Sequence, residues 1–129
     1  WQGHDPELLT DSVRNNVALG EEQIDVCREL SRVCLDREVS EMENGIDTLV
    51  GSRGVRLSGG QKRRAALLRA LLCQDAQTLL MDEPFTGMDA DLVRDAAAVT
   101  RRLAGERPTI LVTHDRTAAE LLGWPIREI

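Results

Sequence analysis

Two short apolar runs decide most of what this chain can fold into. "TLLMDEP", Thr78 to Pro84, and "PTILVTHD", Pro108 to Asp115, each read as a buried strand that stops at polar residues. Between them, "DADLVRDAAAVTRRLAG" has Asp at its start, Arg in its last turn and Gly105 after it, the marks of a helix. "RTAAELLG" reads as a further short helix, and "IREI" as the beginning of a third strand. Strands alternating with helices predict an α/β fold with a parallel sheet from about residue 76 onward.

The upstream part has a different character. "WQGHDPELLTD" carries turn chemistry at Gly3, Asp5 and Pro6 and leads into a short helix, Ser12 to Leu19, that Gly20 ends. "EEQIDVCRELSRVCL" predicts a second helix, with Cys27 and Cys34 on the same face as Ile24 and Leu30 and therefore buried. "ENGIDTLVGSRGVRL" has no sustained period and reads as an irregular connection. Gln61 to Cys73 is a strong helix with Arg and Lys on one side. Up to residue 75 the chain reads as wholly helical, so two subdomains of different class are expected, 1–75 and 76–129.

Composition narrows the function classes. The 129 residues suffice for one domain with a modest core, which must be aliphatic because aromatics are only 2% of the chain. A net charge of −6 gives no support to a nucleic-acid partner, and none is expected, although Lys62, Arg63 and Arg64 form a local basic cluster. Cys27, Cys34 and Cys73 show no C-x-x-C pair and no His at metal-ligand spacing, so reduced thiols in a cytosolic setting are expected. No apolar run has the length of a membrane span and no signal-peptide pattern opens the chain. Any membrane connection would come through another segment or another chain.

In parallel sheets, ligands bind outside the carboxyl ends of the strands. Asp82 and Glu83 close one predicted strand and His114 closes the next, so two acids and a histidine converge on one edge, where a metal–nucleotide site would lie. The alternative is that the acids only cap the loop into the next helix.

A second place asks for an explanation. In "RLSGGQKRR", Arg56 to Arg64, Ser58 and Gln61 have the spacing of a helix capping box, yet Gly59 and Gly60 weaken the first turn by up to about 1 kcal/mol each. The weakness makes sense if an anion approaches that backbone. A helix start offers free N–H groups and a positive dipole end, and glycine removes the Cβ atoms that would hold a phosphate away.

Taken together, "LSGGQ" (Leu57 to Gln61), "TLLMDEP" and "LVTHD" (Leu111 to Asp115) resemble, in order and spacing, the nucleotide-binding domain of an ABC ATPase. They match that family's signature motif, Walker B strand and H-loop, and "TGMD", Thr86 to Asp89, stands at the D-loop. The resemblance implies a P-loop NTPase-type, RecA-like parallel sheet, present in part, beside a helical signature subdomain. It implies ATP and Mg²⁺ as cofactors, with Asp82 holding the cation, Glu83 as general base and His114 at the γ-phosphate. Leu57, Ser58, Gly59, Gly60 and Gln61 would serve the nucleotide of a second such domain in a head-to-tail dimer. Asp89 would link the two sites, although it is also a good helix N-cap. A transmembrane domain or subunit would be the other partner, placing the domain at the cytoplasmic face of a membrane.

Departures from the family pattern matter as well. "HDPELLTDSVRNNVALG" resembles the segment after the Q-loop of exporter-type domains, and the spacing to Asn16 puts His4, not Gln2, at the glutamine position. A neutral imidazole lacks the amide's simultaneous donor and acceptor. Ser52 stands in "VGSRG" where exporters carry Glu. No stretch fits the P-loop pattern G-x-x-x-x-G-K-[ST], so the chain reads as the C-terminal portion of such a domain, a fragment inactive by itself. Competing readings are a non-transport ABC ATPase of repair or translation type, and a silent remnant that only binds partners. A chromosome-maintenance type is disfavoured, because no long coiled coil separates His4 from Ser58.

Overall fold

The computed structural model describes residues 6–129. The chain runs β1 (Asp11–Ser12), α1 (Val13–Ala18), α2 (Val26–Arg32), α3 (Asp36–Ser40), a 3-10 turn (Gly45–Asp47) and β2 (Leu49–Val50). It continues with α4 (Gly59–Leu72), β3 (Leu79–Asp82), α5 (Ala90–Ala104), β4 (Thr109–Val112) and α6 (Arg116–Leu122).

The α/β expectation holds. β3 and β4 pair in parallel, Leu79 opposite Thr109 and Asp82 opposite Val112, with α5 as the crossover between them. Leu79 and Met81 point into the core, whereas Leu80, Ile110 and Val112 are exposed. The alternation of the side chains therefore gives this sheet one dry face and one open face. α5 starts on the Asp89 cap, buries Val93, Ala96, Ala97 and Thr100, and packs on α6. The Thr100 hydroxyl is satisfied by the Ala96 carbonyl one turn back, at 2.7 Å.

"IREI" forms no strand: the residues after α6 are without regular structure, and Ile126 and Ile129 are exposed. Isoleucines at i and i+3 fall on opposite faces of a strand, so no single register buries both. An ion pair of Arg116 with Glu128 ties this tail to α6.

The upstream part is mainly helical, but not wholly. β1 pairs antiparallel with β2, Asp11 opposite Val50 and Ser12 opposite Leu49, a contact between residues too far apart in sequence to show as a periodic pattern. α1 begins at the Ser12 cap and ends in two left-handed residues, Leu19 (φ +50°) and Gly20 (φ +85°). It packs on α4. An ion pair between Arg14 and Asp47 joins α1 to the 3-10 turn, at 2.9 Å. Hydrogen bonding to Arg14 holds the Asp47 carboxyl below its ordinary pKa and, reciprocally, raises that of the guanidinium.

Of the second predicted helix, Glu21 to Leu35, only Val26–Arg32 is helical, α3 follows it as a separate element, and its thiols are not buried. Cys27 and Cys34 are both exposed. The face that enters the core is Val26, Leu30 and Val33, which has the same i, i+4, i+7 spacing as a helical stripe and competes with the cysteine stripe. Cys34 lies beyond the end of α2 in a left-handed conformation, φ +58°, so helical periodicity no longer applies to it. Partial desolvation and the neighbouring Asp95 carboxylate push its thiol pKa up.

One continuous hydrophobic cluster runs from Val13 and Val17 through Leu67, Leu68 and Leu71 to Met81, Val93 and Leu122, so the helical and α/β parts share a core. Two arginines reinforce the junctions. Arg64 donates to the carbonyls of Gly60, Val33 and Cys34, binding the start of α4 to the end of α2. Arg107 donates to the carbonyls of Leu71, Cys73, Ala76, Leu103 and Ala104, where α4, α5 and the approach to β3 meet.

Candidate functional site: a strand edge and a helix start

The carboxyl edge of the parallel pair gathers Asp82, Glu83, Thr113 and His114. Because Asp82 pairs with Val112, the next residues of both strands leave the sheet side by side. Glu83 leaves it in the left-handed region, φ +49°, while its amide still donates to the Val112 carbonyl at 2.7 Å. A non-glycine residue held there is strained by about 1 kcal/mol or more, a cost met where neighbouring contacts fix the backbone.

Those contacts are specific. Oε1 of Glu83 accepts from the backbone N–H of His114 at 2.7 Å and faces its ring Nδ1 at 2.5 Å. Oε2 accepts from the Thr113 hydroxyl at 3.1 Å. An ionised carboxylate only accepts, so with Glu83 in that form Nδ1 is the donor of this pair and Nε2 is the ring nitrogen left over. The Glu83 side chain is 13% exposed, and that of His114 is 94% exposed. The acid is thus sheltered and the imidazole open to whatever approaches the edge. Asp82 is half-buried at the strand end, and its carboxylate accepts no hydrogen bond from a described residue. Asp115 caps α6 through the Ala118 amide at 3.2 Å.

The helix start is built as its sequence predicts. Ser58 Oγ accepts from the Gln61 amide at 3.2 Å, and Gln61 Oε1 accepts from the Ser58 amide at 2.9 Å, completing the capping box. The first intrahelical bond runs from Lys62 to the Ser58 carbonyl. The Gly59 and Gly60 amides therefore precede the helical ladder, and the Ser58 hydroxyl keeps its own proton to donate. A Cβ placed on Gly59 or Gly60 would meet nothing within 4 Å. Leu57 is half-buried against the core and anchors the segment.

Of the residues singled out in the sequence, the structure brings Glu83 and His114 into contact with Asp82 beside them, and sets Leu57 to Gln61 together at one helix start. Asp89 caps α5, accepting from Leu92 at 2.8 Å. His4 lies outside the described residues. Among the described residues no three His, Cys, Asp or Glu side chains group to hold a metal by themselves.

Two polar residues escaped sequence reasoning. Thr113 reads only as the first of the polar residues that stop the second strand, and its place just before His114 is the one hint that its hydroxyl meets the acid. Asn16 is 1% exposed and takes the Leu9 amide and the Leu9 and Ser12 carbonyls, fixing the segment that enters α1. An amide on the face shared with Val13 and Val17 was its signal.

A strand–helix–strand unit with acids at the strand ends, beside a helical part whose longest helix opens on two glycines, defines a partial P-loop NTPase fold with a parallel sheet. The family model described as "ABC transporter" matches residues 4–86, and the chain belongs to that family. It is 38% identical over 115 residues to the ABC multidrug transporter mdr1 of Aspergillus fumigatus, covering 85% of this chain and 8% of that protein. It is 34% identical over 117 residues to the ATP-dependent lipid A-core flippase of Alcanivorax borkumensis, covering 88% of this chain and 20% of the flippase. Among solved structures, a bacterial Atm1-family ABC exporter with ATP bound superposes with a TM-score of 0.73 at 30% identity, over 88% of this chain and 20% of that one. The chain thus spans a fifth or less of the length of these relatives.

Proposed function

We propose that these residues form part of the nucleotide-binding domain of an ABC exporter, in which ATP binding and hydrolysis drive transport. The observation that carries the reading is the open space around Gly59 and Gly60: nothing among the described residues requires glycine there, which supports an external group as its cause. The similarity to a flippase, a multidrug transporter and an ATP-bound exporter supports export as the direction.

Bound Mg-ATP would supply the γ-phosphoryl group and the cation that neutralises its charge. Mg²⁺ retains most of its waters and takes one or two carboxylates plus phosphate oxygens, so a single free Asp82 carboxylate, without a protein cage, suits it. Glu83 takes the proton of the attacking water, and the exposed His114 ring reaches toward the terminal phosphate. Ser58 Oγ–H and the Gly59 and Gly60 amides hold the phosphate of a second domain's nucleotide, with Leu57 and Gln61 fixing that helix start. Asp89 holds the start of α5 and, in a head-to-tail dimer, stands between the two sites. His4 occupies the Q-loop position in this reading. Residues 1–75 serve as the signature unit and 76–129 as the catalytic-edge unit.

These 129 residues hold no phosphate-cradling P-loop, so by themselves they are expected not to hydrolyse ATP. The remaining partner is a transmembrane domain or subunit, which puts the domain at the cytoplasmic face; no helix among the described residues is long and apolar enough to cross a membrane. The test is Glu83→Gln in the full-length protein. Steady-state phosphate release should fall by about a hundredfold or more and a nucleotide-bound dimer should accumulate. Release at near-parental rate would rule out Glu83 as the base.

A further inference from the structure

We infer that Thr113 is a positioning residue for Glu83, selecting which carboxylate oxygen receives the proton of water; the inference rests on the reading of Glu83 as base. The argument is a count of donors. A carboxylate oxygen has about two acceptor directions. Oε1 receives both the His114 amide and the His114 Nδ1, so it is filled. Among the described residues Oε2 receives only the Thr113 hydroxyl, which leaves it one direction open. Oε2 is therefore the basic atom.

The Thr113 hydroxyl can hold that oxygen because its own polarity is fixed. The Asp115 amide donates to Thr113 Oγ1 at 3.0 Å and occupies a lone pair of the oxygen. A backbone N–H cannot accept, so the single hydroxyl proton is left for the carboxylate. The Asp115 carboxylate in turn caps α6, which anchors the whole turn to a helix. With a left-handed Glu83 backbone at one end and a capped helix at the other, rotation of the acid is opposed at both oxygens. Without the hydroxyl, Oε1 would stay on His114 while Oε2 swings about that attachment. The base would remain present but poorly aimed, which lowers the rate of the chemical step rather than the affinity for nucleotide.

Three variants of the full-length protein test this with Mg-ATP. Thr113→Val, which keeps the shape and removes the hydroxyl, should lower kcat about tenfold with KM changed less than about twofold, and Thr113→Ser should restore kcat. Thr113→Val combined with Glu83→Gln should turn over no more slowly than Glu83→Gln alone in single-turnover assays, because Thr113 acts only through that acid. Should Thr113→Val lower the melting temperature, Thr113→Ala judged against Thr113→Ser gives the same reading. A parental kcat in the hydroxyl-free variants, or an additive loss in the double variant, would overturn the inference. If Glu83→Gln itself turned over normally, the assignment of the base would fall instead.

Discussion

Two pairs of glycines lie within ten residues of each other and answer to different constraints. At Gly54 an added Cβ would sit 2.3 Å from the Leu49 carbonyl oxygen, and at Gly51 (φ +96°) 2.8 Å from that of Leu9. Both are demanded by the chain's own backbone, where the loop after β2 folds back against it. At Gly59 and Gly60 the same Cβ meets open space and the backbone is helical. The first pair is there for the fold. The second makes a helix start worse than its excellent capping box would allow, and in the proposed function it is an approaching phosphate that gains from that. Glycine by itself therefore says little; what a methyl group would strike distinguishes the two causes.

The sharpest way to break this comparison is to fill both pairs. Gly54→Val should destabilise the chain by about 2 kcal/mol or more, read as a lower urea midpoint, since carbonyl oxygen and peptide must move to admit it. Retention of parental stability would show that the loop is not closed by that contact. Gly60→Asp should abolish ATP turnover in the full-length protein while circular dichroism and melting stay near parental, because a carboxylate repels the anion without touching the fold. Unfolding of this variant would return Gly60 to the structural class. The smallest effect has the opposite sign. Gly59→Ala or Gly60→Ala should raise stability by about 0.5–1 kcal/mol, since alanine restores helix propensity without a clash. A loss of stability there would mean that the space is not open.

What was legible in the sequence follows the range of the interaction that fixed it. The capping box of Ser58 and Gln61, the Asp89 cap and the βαβ unit depend on residues within a turn or on simple periodicity, and these were readable. Placement of Glu83 and His114 at one edge needed only the rule for parallel sheets. The β1–β2 pairing and the exposure of Cys27 were not readable, because two stripes of equal spacing competed and tertiary contacts chose Val26, Leu30 and Val33. Cys34 was lost to a left-handed residue that no pattern announces. The contact of Thr113 with Glu83 needed the register of two strands to within one residue. The composition had foretold an aliphatic core, and Leu, Val, Ala and Met supply nearly all of it.

Arg107 has a consequence for how the molecule comes apart. One planar guanidinium joins the last turn of α4, the approach to β3 and the last turn of α5 through five carbonyl oxygens. No lysine could replace it, having three donors and no fork. Melting α4 from its end must release α5 and the strand between them at the same time, so differential scanning calorimetry should record a single endotherm with equal calorimetric and van't Hoff enthalpies. Arg107→Lys should lower and broaden that endotherm, because carbonyls at the junction lose their donors while the shared core still couples the two parts. It would turn a molecule that yields all at once into one that begins to fray at this seam.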